Sequence, residues 1–229
     1  MLCIGHRGAA GHEPENTLRS VRRALEMGVD GIEIDVYCIE GELIVIHDAT
    51  LNRTTNGKGS LRRHTLAQLR SLDAGKGERI PLLREVLETV HRRALVNIEL
   101  KGHGTAGPVM ELLREHIHRG WTAADFIVSS FRRAELRQLR GSGLRIGILF
   151  ARSARSFRPM ARALDAWSIH VPLSQVNERL VTRVHADGRK IFVFTVNDRA
   201  GMDRLQRMGV DGIFSDFPDR WTASPGVSR

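Results

Sequence analysis

Glu33 and Asp35 sit within Gly31-Ile32-Glu33-Ile34-Asp35-Val36, where apolar residues at 32, 34 and 36 alternate with the two acids. That is the period of a β-strand, and a strand points residues two apart to the same face. Neighbouring carboxylates repel unless a cation lies between them or one keeps its proton. A turn-like Glu40-Gly41-Glu42 then sends the chain back along Leu43 to Ile46 and into His47-Asp48. A hairpin centred on Gly41 pairs position 47 with position 35 and returns an imidazole to the carboxylates. The arrangement predicts a metal site with an acid/base group beside it.

More groups of the same kind recur elsewhere in the chain. Val96-Asn97-Ile98-Glu99-Leu100-Lys101 has strand periodicity and places Glu99 and Lys101 on one face, and a short N-terminal strand ends at His6-Arg7. Each has a plainer reading: an acid-x-acid pair as a solvated face, a strand-end histidine as a structural residue, Glu99-x-Lys101 as a salt bridge. Convergence on one rim favours chemistry. Carboxylates at 33, 35 and 99 suit a hard cation, Mg²⁺ or Ca²⁺, which prefers oxygen ligands. Arg7 and Lys101 offset the acids or bind an anionic group. The other histidines, including His12, His64, His91, His103, His116, His118, His170 and His185, lack such company and are taken as surface or structural.

The elements that would gather these residues alternate along the chain. Strand patterns fall at 2–5, 31–36, 95–100, 126–129, 145–149, 166–171, 190–196 and 212–214, with a returning arm at 43–47. Helical patterns fall between them: one capped by Thr17 and running to about Met27, then 82–92, 106–119, 131–140, 153–163, 175–186 and 198–208. Eight such units predict an α/β fold of the (β/α)8, or TIM-barrel, type, which carries its chemistry at the C-terminal strand ends. The expected organisation is one barrel domain over residues 1–221, with 37–80 as a hairpin arm plus polar cap and 222–229 as a disordered tail. Residues 49–80 read as too polar for core and too long for an ordinary loop.

Bulk properties restrict the partners. With 229 residues, 41% hydrophobic and 27% charged, the chain fits a single globular domain. No apolar run approaches the roughly 20 residues of a membrane span. The N-terminus lacks a signal-peptide pattern, so a cytoplasmic location without stable membrane association is expected. The net charge of +9 is scattered over arginine pairs and over Arg152, Arg155, Arg158 and Arg162 without aromatic interleaving. That reads as a solvated surface that draws in anionic substrates, with no nucleic-acid partner. Cys3 and Cys38 are expected too far apart to bridge, and so free. Oligomeric state is left open by these patterns.

The residues also carry a resemblance. His6-Arg7-Gly8, Pro14-Glu15-Asn16-Thr17, Gly31 to Val36, His47-Asp48, Leu51 to Gly57, Leu72-Asp73-Ala74-Gly75, Ile80-Pro81, Asn97 to Lys101, Phe194-Thr195-Val196-Asn197 and Gly209 to Pro218 follow one another across nearly the whole chain. In that order they resemble the glycerophosphodiester phosphodiesterase family, whose barrel is similar to the phosphatidylinositol-specific phospholipases C. The resemblance implies metal-dependent hydrolysis of glycerophosphodiesters to glycerol 3-phosphate and an alcohol. It implies acid/base roles for His6 and His47, a divalent cation on Glu33, Asp35 and Glu99, and phosphate contacts from Arg7 and Lys101. His6 is provisionally the base and His47 the acid. Phe194 stands where the family often has Trp, and Ser215 where Thr is common, so Phe194 marks a pocket position expected to differ. Two alternatives are kept: lysophospholipase D-like cleavage of lysophospholipids, and a non-catalytic barrel that binds phosphorylated ligands.

Overall fold

Eight parallel strands close into a barrel in the computed structural model, which describes residues 1–221. They are β1 (Leu2–Gly5), β2 (Gly31–Ile39), β4 (Leu95–Leu100), β5 (Phe126–Ser130), β6 (Arg145–Leu149), β7 (Ser168–Pro172), β8 (Lys190–Phe194) and β9 (Gly212–Ser215). The ninth, β3 (Glu42–Val45), returns antiparallel along β2, and β1 pairs with both β2 and β9 to complete the ring. The expected tail at 222–229 lies outside the described residues.

Local sequence explains where the helices begin. Thr17 accepts from the Ser20 amide to cap α1 (Leu18–Glu26), and Asn177 does the same for Leu180 at the start of α7 (Glu178–His185). Between them come α2 (Leu66–Arg70), α3 (Leu83–Val90), α4 (Ala106–His118), α5 (Arg133–Gln138) and α6 (Phe157–Ala163), and α8 (Arg199–Arg207) follows. The sixth helix begins four residues later than its sequence pattern suggests. Ile32, Ile34 and Val36 point outward from β2 into the main core, which lies between the strands and the helices. The opposite face of β2 carries Glu33 and Asp35 inward. Ile4, Ile127, Phe192 and Phe214 fill the barrel interior. His170 joins them there, and Gly147 makes room for it: a Cβ at 147 would sit 2.8 Å from the imidazole.

The hairpin differs from the sequence expectation by one residue. Val36 pairs with Val45, and the Asp35 carbonyl accepts from the Ile46 amide at 3.0 Å. The turn is therefore the two residues Glu40 and Gly41, with φ of 51° and 82°, and not a loop centred on Gly41. Two consecutive positive φ values define the tight hairpin turn that matches strand twist. Position 47 thus lies one step beyond the partner of Asp35, where the arm leaves the sheet.

Residues 49–80 are not uniformly polar. Ile44, Ile46, Leu51, Leu61, Leu69, Ala74 and Ile80 form a separate buried cluster, joined by half-buried Tyr37, Leu66 and Leu72. Their irregular spacing follows no strand or helix period, which is why the segment reads as a polar loop. The cluster folds as a small cap on the barrel, tied down where Arg70 donates to the Ile80 carbonyl and to Glu85 on α3. Leu51, fully buried in it, is a direct probe. Leu51→Ala is expected to cost about 2–5 kcal/mol locally. Amide exchange should then quicken across 44–80 while β4 to β9 stay protected; uniform loss of protection would mean that cap and barrel unfold as one unit.

Candidate functional site

Two neighbouring strands deliver the three acids. Asp35 on β2 lies beside Glu99 on β4, and Glu33 beside Asn97, because the two strands pair in that register. Oxygen atoms of Glu33, Asp35 and Glu99 all lie within 4.8 Å of one another, and all three side chains are buried. Burial, reinforced by Asp35 and Glu99, pushes the Glu33 carboxyl well above the usual range. Burial and then Asp35 raise Glu99 to about 7 against the opposing pull of Lys101. Burial and mutual repulsion thus favour proton retention on Glu33 and Glu99, which a cation would displace.

Each acid also has a fixed donor on one side. The Arg7 amide donates to Glu33 Oε2 at 2.9 Å, Asn16 Nδ2 to Asp35 Oδ2 at 2.9 Å, and Lys101 Nζ to Glu99 Oε1 at 2.8 Å. Arg7 Nε and Lys101 Nζ each stand 3.5 Å from Asp35. Burial disfavours both cations, yet the surrounding acids outweigh it and raise both pKa values. The donor set fits a divalent cation: three hard oxygen ligands whose other contacts are already satisfied, with the buried Asn97 Oδ1 unpartnered nearby.

The two histidines flank this cluster, and each is backed by a carboxylate. His6 Nδ1 lies 2.7 Å from Asp216 Oδ1, and His47 Nδ1 lies 2.5 Å from Asp48 Oδ1. A carboxylate can only accept, so each Nδ1 carries the hydrogen and Nε2 is left for chemistry. Burial pulls the His47 pKa below its ordinary value although Asp35 and Asp48 oppose it. Asp216 is itself held by Asn197 Nδ2 at 2.7 Å.

These groups share one cavity of about 200 Å³. His6, Arg7, Glu33, His47, Asn97, Glu99 and Lys101 line its charged half. Phe131, Leu149, Phe194 and Phe214, on the β5–β9 side, line the apolar half, with His170 at the base. The cavity wall carries every expected site residue except Asp35, which contacts the wall cations from behind. Phe194 meets Phe131 edge-on with ring centroids 6.2 Å apart.

Sequence reasoning missed several members. His170 was set apart with the structural histidines; it is buried in the barrel, shares a hydrogen bond with Ser168 at 2.8 Å, and is driven by burial down to about 3. It is therefore neutral. Asp216, Asp48, Glu15 and Asn16 were read only as parts of longer segments. Arg53 was read as part of the polar cap; it donates to Asp48 at 2.6 Å and to both Glu15 oxygens at 2.6 and 2.8 Å. Glu15 in turn accepts from Arg7 at 2.7 Å. Arg53 thus joins the carboxylate behind His47 to the carboxylate behind Arg7. Its hydrogen bond is the main reason that the Asp48 pKa falls.

A closed parallel barrel with acids, histidines and cations gathered at its C-terminal rim is a (β/α)8-barrel enzyme. The sequence pattern of the glycerophosphoryl diester phosphodiesterase family matches residues 6–220, and the chain belongs to that family. It is a phosphoric diester hydrolase. The glycerophosphodiester phosphodiesterase of Caldanaerobacter subterraneus is 38% identical, with 95% of each chain covered. That of Bacillus altitudinis is 36% identical at the same coverage. Among solved structures, an Oleispira antarctica phosphodiesterase in complex with the product sn-glycerol-3-phosphate superposes with a TM-score of 0.86 at 30% identity, covering 96% of this chain and 94% of that one. The glycerophosphodiester phosphodiesterase of Agrobacterium tumefaciens gives 0.83 at 32% identity, covering 96% and 98%.

Two outcomes follow from this geometry. Glu99 binds its proton more tightly in the folded chain, at about 7, than at its ordinary 4.5. The stability this gives is complete below pH 4.5 and is lost as pH rises through 7. In chelator, wild type should therefore lose stability relative to Glu99→Gln from pH 5 to 8, by about 3 kcal/mol at most. Thermal melts read the difference, and Mg²⁺ or Ca²⁺ should restore wild type but not the variant. The cross-link through Arg53 gives the second: Arg53→Met should lower kcat about tenfold with the fold intact. Its effect and that of Asp48→Asn should be less than additive, whereas full additivity would mean that the two act separately.

Proposed function

We propose that the chain hydrolyses glycerophosphodiesters to sn-glycerol 3-phosphate and an alcohol, using His6 and His47 as its acid/base pair. The observation that carries this reading is the pair of carboxylate-backed imidazoles on either side of one acidic cluster. A barrel that only bound phosphate would need the cations but not two proton-transfer groups.

Glu33, Asp35 and Glu99 would hold a divalent cation, Mg²⁺ or Ca²⁺. When bound, it neutralises charge on the phosphoryl oxygens as charge develops in the transition state. Arg7 and Lys101 bind and orient the phosphate from the same half of the cavity. His6 takes the proton of the attacking hydroxyl, from water or from the substrate's own glycerol; Asp216 on its Nδ1 fixes the tautomer and steadies the imidazolium that forms. His47 gives a proton to the departing alkoxide. Burial weakens its hold on that proton, which suits a donor. The apolar half, including Phe194, excludes water around the organic group of the diester.

Phe131, 41% exposed at the cavity mouth, favours one second reading. A lysolipid would need an apolar surface near the rim, which the polar 49–80 segment does not offer in sequence; Phe131, Leu149, Phe194 and Phe214 offer one in the cavity wall, and lysophospholipids are the alternative substrates.

Release of glycerol 3-phosphate from glycerophosphocholine and glycerophosphoethanolamine is the decisive measurement. It should require Mg²⁺ or Ca²⁺, stop on chelation, and fall about 10²- to 10⁴-fold in His47→Ala. No release by folded protein under any metal would overturn the reading. Faster cleavage of lysophosphatidylcholine, run in parallel, would transfer the assignment to lysolipids.

A further inference from the structure

A second hollow, of about 900 Å³, opens between the segments that follow β6 and β7. Ser153, Arg155, Ser174, Asn177, Arg179 and Arg183 supply its polar wall, and among the described residues no carboxylate lines it. The arginines of this flank divide sharply. Arg158, Arg162 and Arg189 all close on Asp187. Among the described residues, no acid pairs with Arg155, Arg179 or Arg183. Glu178, adjacent in sequence, is outside the lining set and forms no ion pair with them. Arg183 donates to the Arg155 carbonyl at 2.7 Å and lies over the Phe157 ring, which leaves Arg155 and Arg179 to meet a ligand. Guanidinium groups lining one hollow without acids repel one another, and a bound anion removes that cost.

The hollow is also close to the chemistry. Leu149 lines the catalytic cavity and Ser153 lines the basic hollow, four residues along one loop. Four residues span at most roughly 14 Å. Both are lined by segments that follow strand C-termini, and so lie toward the same end of the barrel.

We propose that this hollow is a second anion site, which takes a phosphate carried on the organic group of the diester and so selects substrates with an additional phosphate. The proposal rests on the phosphodiesterase reading above. The phosphodiester being cleaved lies against Arg7 and Lys101, its organic group crosses the apolar wall, and the distal phosphate meets Arg155 and Arg179. No covalent step occurs in the hollow, and its contribution is to affinity and specificity. A charged contact at an exposed rim is screened by salt, so the preference weakens as ionic strength rises.

The test compares glycerophosphocholine, whose alcohol carries no phosphate, with glycerophosphoinositol 4,5-bisphosphate, whose alcohol carries two. Wild type, Arg155→Ala, Arg179→Ala and the double variant are assayed on both. For the double variant, kcat/KM on the bisphosphate should fall roughly tenfold, mostly through KM, and stay unchanged on glycerophosphocholine. Equal losses on both substrates, or none on either, overturn the proposal. Inorganic pyrophosphate, titrated by calorimetry, keeps the two readings apart if wild type cleaves neither substrate: binding lost in the double variant supports the anion site, and unchanged or absent binding overturns it. A pyrophosphate effect on glycerophosphocholine turnover that vanishes in the double variant would put a separate phosphorylated effector in the hollow and overturn the tethered form.

Discussion

Mutual repulsion among three buried carboxylates governs the catalytic end of this barrel. Glu33, Asp35 and Glu99 meet because β2 and β4 pair in a register that puts Asp35 beside Glu99. Alone, such a cluster would retain protons or force the strands apart. The chain restrains it with donors drawn from separate segments: the Arg7 amide after β1, Asn16 before α1, and Lys101 after β4. The loop after β1 therefore has a demanding task. Arg7 itself adopts a φ of 52°, which turns its amide toward Glu33. Isolating these restraints at strand ends leaves the outward faces of the same strands free to build the ordinary apolar core.

The cap serves the same cluster from the other side. It folds around its own apolar residues, yet its polar edge reaches back into the site through Arg53, which bridges Asp48 and Glu15. His47 and Arg7 arrive from elements far apart in sequence, and their supporting carboxylates share this one guanidinium. The side chain that would donate a proton and the side chain that would hold phosphate are thus placed relative to each other by a residue that touches neither. A guanidinium suits this position because its planar fork can satisfy two carboxylates at once.

Much of this was legible in the sequence because strand periodicity is a two-residue signal and the acids obey it. Glu33, Asp35, Glu99 and Lys101 could be assigned to one face from spacing alone, and the alternation of eight strand and helix patterns led to the barrel. The one-residue error in the hairpin arose because a turn centred on Gly41 and a two-residue turn at Glu40 and Gly41 look the same without φ values. The cap core was hidden by its lack of a period. Asp216, Arg53 and His170 were not legible for a different reason: their partners lie far away along the chain, and no local pattern marks a contact across the barrel. The hollow formed by the segments after β6 and β7 belongs to this group, since scattered arginines reveal their unpaired state only once Asp187 has claimed its neighbours.

Charge balance links the acidic cluster to the substrate it would meet. Fully ionised, Glu33, Asp35 and Glu99 against Arg7 and Lys101 leave the rim with one excess negative charge, which would repel a phosphodiester monoanion. The upward shifts of Glu33 and Glu99 favour relief of that excess by proton retention. Exchanging those protons for a divalent cation turns the same five side chains into a site with one excess positive charge, matched to a single phosphodiester. A second phosphate on the substrate would exceed what this rim can neutralise. Arg155 after β6 and Arg179 on α7, which no acid pairs among the described residues, are placed to supply the difference.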